Sequence, residues 1–155
     1  MEIREAEVTE AAAIAALINA AFQIERAFKD GDRTSPAEIE GMFAQGCFLV
    51  TEDRGCLLGS VFVRITGDSG YFGLLAVDPS LQRSGIGRAL VQSAERYCEQ
   101  RGCNEMTMRM IDVREDLLDY YSRFGYAVTG REPVPVDIPF TRPVEFVNMA
   151  KQIGS

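Results

Sequence analysis

Apolar and polar residues alternate along this chain with two different periods, and the change of period marks its elements. After a short strand-like opening, EIREAEV at 2–8, small and apolar residues fill AAAIAALINAAF at 11–22. That run predicts an alanine-rich helix with Thr9 as its N-cap. Residues 23–34 are polar and irregular around Gly31. SPAE at 35–38 predicts a second helix, with Ser35 as N-cap, Pro36 at the first helical position and Glu38 closing a capping box. The period then shortens to two. CFLVT at 47–51 leads through Asp53-Arg54-Gly55 into LLGSVFVRIT at 57–66, and Gly67-Asp68-Ser69-Gly70 leads into YFGLLAV at 71–77. Turn residues between β-rich runs predict antiparallel hairpins. The third run is apolar almost throughout, which predicts a central strand covered on both faces. Gly73 interrupts it and predicts a bulge or a close backbone approach.

From Gly85 to Arg101 the period lengthens again. Ile86, Leu90, Ala94, Tyr97 and Cys98 form one buried stripe of a helix that Gly102 ends. EMTMRMI at 105–111 places Met106, Met108 and Met110 on one face of a strand. A further helix is predicted from about Arg114 to Phe124, stopped by Gly125, and YAVTG at 126–130 resumes the sheet. Residues 131–143 hold four of the six prolines and read as a loop, before a last strand, VEFVNMA at 144–150. The order is β-α-α-β-β-β-α-β-α-β-β: an α/β fold with a mixed central sheet and helices on both faces. No repeat, low-complexity tract or linker divides the chain, so residues 1–155 are predicted to form one domain.

Composition narrows the chemistry. A formal net charge of -7 argues against a broad nucleic-acid surface and mildly favours an amine-bearing partner. The chain has no His, which removes His-based metal sites, His-containing triads and the commonest general base; no metal is expected. None of the four cysteines forms Cys-x-x-Cys. Buried reduced thiols fit better, and they suit a cytoplasmic protein. The alanine-rich run is too short to span a bilayer and follows Glu2, Glu5, Glu7 and Glu10 rather than positive charge, so neither a membrane span nor a signal segment is expected.

The candidate chemistry lies in LQRSGIGRAL at 81–90. Glycines one residue apart at a helix start let another molecule approach unpartnered backbone amides, and an anion is the natural guest. A nucleotide P-loop is excluded because no Lys follows either glycine. A dinucleotide fingerprint fits poorly, since Leu90 replaces its third glycine and seven residues separate Val77 from Gly85. A loop that needs its glycines only for its own turn is the bland alternative. Context weighs against it: QRSGIG has the form Q/R-x-x-G-x-G/A, follows an apolar strand ending AVDP and precedes an amphipathic helix, while DLLDYYSRFGY at 116–126 supplies aromatic-Tyr-x-x-x-Gly-aromatic at the right separation.

In these residues the chain resembles the GNAT superfamily of acyl-CoA-dependent N-acetyltransferases, most strongly over 71–101. The resemblance implies that the backbone of Gln82, Arg83, Ser84, Gly85, Ile86, Gly87 and Arg88 holds the pyrophosphate of acetyl-CoA. It also implies that the pantetheine arm lies along the fourth strand, where Leu74, Leu75, Ala76 and Val77 would pair with it. Tyr121 matches the second motif's tyrosine, which the superfamily aims at the coenzyme sulfur; its alternative is a core aromatic sharing a stripe with Leu117 and Phe124. Two positions depart from the family. Tyr71 stands where some members carry a base Glu, and Arg114 stands where an Asn is frequent. Glu25, Arg33 and Tyr71 are candidate substrate contacts, with ordinary solvated charges as the alternative for the first two. The implied acceptor is an amine on a small molecule, a protein N-terminus or a lysine, and the resemblance admits a homodimer. The rival readings are a non-catalytic module that binds acyl-CoA as a sensor, and a nucleotide-binding α/β protein.

Overall fold

The computed structural model describes residues 2–23, 32–82, 84–112, 114–134 and 144–154. Its elements follow the expected order: β1 Arg4–Glu5, α1 Ala11–Ala21, α2 Pro36–Met42, β2 Cys47–Asp53, β3 Cys56–Thr66, β4 Ser69–Val77, α3 Ile86–Glu99, β5 Glu105–Ile111, α4 Glu115–Ser122, β6 Ala127–Pro133 and β7 Glu145–Gln152. Seven strands form one sheet in the order β1-β2-β3-β4-β5-β7-β6. Neighbours are antiparallel except β4 and β5, which run parallel. A parallel neighbour needs a crossover, and α3 lies between these two strands in the chain.

Alternation along the strands divides the core in two. Leu49, Val61, Val63, Phe72, Met106, Met108, Met110 and Met149 face α3 and α4. Phe48, Val50, Phe62 and Ala76 point the other way, onto Ile14, Ile18 and Ile39 of α1 and α2. Leu90, at the middle of the α3 stripe, is fully buried, and truncating it to Ala would cost about 2–5 kcal/mol. That stripe also contains a charge that periodicity alone passes over. Glu95 is buried on α3, where it accepts a 2.7 Å hydrogen bond from the Tyr126 hydroxyl and 3.0 and 3.2 Å bonds from Lys151 Nζ of β7. A buried carboxylate is tolerated when paired and hydrogen-bonded in this way, and the arrangement ties α3 to the far half of the sheet.

Several local expectations change. Thr9 does not cap α1; it lies inside a 3-10 turn, Val8–Glu10, that leads into the helix. The carboxylate of Glu10 takes the Glu7 N–H at 3.0 Å, and Arg4 holds it down to a pKa of about 2. Ser35 does cap α2, its Oγ accepting from Glu38 N–H at 3.3 Å, while the Glu38 carboxylate accepts from the Thr34 hydroxyl at 3.4 Å. Cys56 is exposed, unlike Cys47, Cys98 and Cys103, because it opens β3 just after the turn. Tyr97 is only half-buried, and Val91 joins the buried stripe instead. Residues 131–133, expected in a loop, continue β6 by pairing with β7. Residues 135–143 lie outside the described residues.

The strand expected to be covered on both faces is central, yet Leu74, Leu75 and Val77 stay half-exposed. The reason lies in the pairing. β4 pairs with β3 along its whole length, but with β5 only through Ser69, Gly70 and Tyr71. Beyond Tyr71 the two parallel strands part.

Candidate active site

The parting is built into β4 itself. Its register against β3 shifts between Ser60 and Phe62, so that Leu74 and Leu75 together stand opposite Val61. Leu74 takes a left-handed backbone, φ 52°, which a leucine adopts only under constraint. The bulge therefore falls one residue after Gly73, where the strand glycine predicts it. On the far side the last paired row is fastened by the Thr107 hydroxyl, which donates to the Gly70 carbonyl at 3.0 Å. Beyond that row, the β5-facing edge of residues 72–77 has no strand partner among the described residues. Backbone N–H and C=O groups require partners, so this edge is suited to an extended guest.

The glycine loop lies at the C-terminal end of the same strand. Asp78 turns the chain, accepting from the Ser80 N–H at 2.9 Å and from its hydroxyl at 2.7 Å, and those bonds lower its pKa. The Ser84 hydroxyl closes onto the Leu81 carbonyl. Gly85 caps α3 at φ 89°, a conformation that strains any residue with a Cβ. The first helical bond runs from Ala89 N–H to Gly85 C=O at 3.1 Å, which leaves the amides of Ile86, Gly87 and Arg88 ahead of the ladder. Gln82, Ser84, Gly85 and Arg88 are exposed, whereas the Ile86 side chain is buried in the core. Arg83 lies outside the described residues. The loop thus offers backbone donors at the positive end of a fourteen-residue helix. Arg88, its guanidinium 5.9 Å from the Phe124 ring, adds a cation at the rim.

Two adjacent tyrosines of α4 divide between loop and opening. The Tyr120 hydroxyl overhangs Gly87, so near that a Cβ there would come within 2.8 Å of it. Tyr121 is buried against Phe72, Phe124 and Tyr126, with ring centroids 5.8, 6.4 and 6.3 Å away. Burial raises its pKa well above the usual tyrosine range, with a smaller push from Tyr120; Arg114 and Tyr71 also lie close enough to act on it. Arg114, at the departure from the family pattern, is therefore a cation beside the tyrosine.

Tyr71 reaches the same opening from the opposite face. Its hydroxyl leans over Gly73, 2.7 Å from where a Cβ would stand, so the glycine is what lets the ring lie along its own strand. The Arg64 guanidinium lies over that ring, 4.6 Å from its centroid. The two residues line a cavity of about 530 Å³ together with Thr107, Arg109, Glu132 and Asn148, contributed by five strands. Sequence reasoning missed all of these except Tyr71, because no local pattern links residues so far apart in the chain. Arg33 is not in that lining; it packs over the Phe22 ring at 5.6 Å. Glu25 lies outside the described residues. Among the described residues no group of three or more His, Cys, Asp or Glu side chains could hold a metal ion. No helix among them is long and apolar enough to cross a membrane.

Residues 12–126 match the model of the acetyltransferase (GNAT) family. The chain belongs to this family. Solved GNAT folds align with nearly all of it. The ribosomal-protein-S18-alanine N-acetyltransferase of Escherichia coli superimposes with a TM-score of 0.73 at 18% identity, over 99% of this chain and 94% of that one. YncA of Salmonella typhimurium, a putative acetyltransferase solved with acetyl-CoA, gives a TM-score of 0.74 at 22% identity, over 97% and 92%. At such identities the likeness is one of fold. In sequence, the acetyl transferase GW6a of Oryza sativa subsp. japonica is 37% identical over 98 residues, which is 63% of this chain. The chain spans only about a fifth of that relative's length, the aligned share being 20%.

Proposed function

We propose that this GNAT domain transfers an acetyl group from acetyl-CoA to a primary amine by direct attack of the nitrogen on the thioester. The observation that carries the reading is the one-sided opening between β4 and β5, with the glycine-capped start of α3 at one end and the Tyr121 phenol at its wall. The amides of residues 84–88 would hold the pyrophosphate, and the free edge of Leu74–Val77 would pair with the pantetheine arm, which places the thioester carbonyl near the divergence. Acetyl-CoA supplies an activated acyl carbon. The amine nitrogen forms a bond to that carbon, the carbon–sulfur bond breaks, and the thiolate leaves with the electron pair.

Tyr121 acts on that thiolate. A phenol of ordinary pKa giving its proton to a thiolate whose conjugate thiol has a pKa of about 8.5 is uphill by about 2 kcal/mol. Burial raises Tyr121 further, so its part is to donate a hydrogen bond to the departing sulfur, with full protonation coming afterwards from solvent. The attacking amine must be neutral. With no His in the chain and no acid between residues 70 and 77, the base is a more distant carboxylate, a tyrosine or water; in this reading the proton goes to water, and the neutral fraction of the amine sets the rate. That missing acid is also the one observation favouring a second reading, a domain that binds acyl-CoA without turning it over.

The test is release of free thiol from acetyl-CoA on adding a mixture of primary amines, with the N-acetyl product followed by mass. Amine-dependent release and a matching product are expected. Tight coenzyme A binding without release for any amine class would establish the non-catalytic reading instead.

A further inference from the structure

The cavity on the α1/α2 face of the sheet carries the opposite charge to the chain as a whole. Among the described residues, Arg64 and Arg109 line it against a single carboxylate, Glu132, in a protein of formal net charge -7. The two arginines are not equivalent. Arg109 is already engaged, 3.6 Å from Glu132 and 4.2 Å from the Phe146 ring. Arg64 has no carboxylate partner among the described residues, and it lies over the face of Tyr71. A guanidinium over an aromatic face is held by attraction that uses none of its five N–H donors as a hydrogen bond, so they stay available to a carboxylate.

We infer that the acceptor is a small amine that also bears a carboxylate, as an amino acid does, and that Arg64 binds this carboxylate. The inference rests on the transferase reading only for the position of the nitrogen. Three observations support the placement. Arg64 pairs in register with Tyr71, and Tyr71 pairs with Thr107, so the three stand in one row across the sheet at the last step before the strands part. Tyr71 bridges the row to the opening, with the guanidinium on its ring and its hydroxyl leaning over Gly73. A molecule lying along Tyr71 would therefore have its anionic end on Arg64 and its other end at the divergence. At about 530 Å³ the cavity falls in the range of small-molecule sites. The net charge of -7 by itself favours a cationic acceptor; the local field at the cavity favours one whose amine is accompanied by an anion.

The experiment is calorimetric titration of the coenzyme A-saturated protein with the common L-amino acids, each compared with the amine left by removing its carboxyl group. The transfer assay is run on the same pairs. At least one amino acid should bind about ten- to a hundredfold more tightly than its decarboxylated counterpart, the range expected for a charge-assisted contact. Arg64→Gln should bring that ratio close to one, and Arg64→Lys should restore part of it, which mere loss of packing on Tyr71 would not reproduce. Equal binding of both members of every pair, or a preference that survives in a folded Arg64→Gln protein, overturns the inference. Arg64-dependent binding without thiol release would keep it and overturn the transferase reading. Efficient acetylation of amino acid and decarboxylated amine alike would do the reverse.

Discussion

The two sides of the β4–β5 opening are made in different ways. The proposed coenzyme side is one contiguous run, residues 84–88, which would act through backbone amides at a helix start. The proposed acceptor side is a cavity assembled from side chains on five strands, Arg64, Tyr71, Thr107, Glu132 and Asn148 among them. A backbone site depends on conformation, so it is sensitive to any Cβ or charge placed within it and indifferent to most neighbouring side chains. A side-chain site depends on which residue stands at each register position, so it can change its ligand without changing the fold.

The widest separation between the two sides should come from Gly87→Asp. It puts a carboxylate at the helix start and pushes on the Tyr120 hydroxyl, the far end of a side chain. Coenzyme A affinity should fall by about a hundredfold or more, as like charges brought together cost several kcal/mol, while the thermal midpoint stays near wild type. Unaltered affinity in the folded variant would return the loop to a turn that needs glycine for itself.

Tyr121→Phe comes next. Turnover should drop by roughly ten- to a thousandfold, with coenzyme A affinity little changed because the ring still fills its place among Phe72, Phe124 and Tyr126. The pH dependence has a definite sign. Because its pKa is raised, the phenol stays protonated and able to donate through the alkaline range where an ordinary tyrosine would begin to ionise. kcat/KM should therefore climb with pH as the amine loses its proton, without a falling limb up to about pH 10. A plateau from neutral pH would mean that a tuned carboxylate is the base.

The smallest effect, and the one confined to the acceptor side, is expected of Gly73→Ala. Its methyl group would stand 2.7 Å from the Tyr71 hydroxyl, so the ring must swing off the opening. The KM for the amine should rise by about three- to tenfold, a modest cost for a misplaced contact, and coenzyme A affinity should hold. Equal losses on both sides would mean that Gly73 shapes the strand bulge rather than the tyrosine.

The same contrast explains what could be read from the chain alone. Strand and helix periods, the turns and the glycine loop are local, so the element order, the start of α3 near Gly85 and an irregularity of β4 at Gly73 were all legible. The division of labour between Tyr120 and Tyr121 was half legible: spacing marks the motif, but only the packing of α4 shows which hydroxyl overhangs Gly87. Glu95 escaped because a buried carboxylate looks like a solvated one until Tyr126 and Lys151 are brought to it. Arg64 and Arg109 escaped for a similar reason. On β3 and β5 they read as outward-facing charges of half-polar strands, and they share a cavity only because the sheet places their strands around one opening.

The claim that the opening is where the coenzyme lies is most directly tested by residue-resolved amide hydrogen exchange with and without saturating coenzyme A. Coenzyme A should slow exchange in two places, the free edge of residues 74–77 and the first-turn amides of residues 84–88. The amides of Arg64, Thr107 and Asn148, on strand rows at the proposed acceptor side, should keep their rates. Protection absent from residues 74–77, or centred on strands away from the opening, would contradict the account.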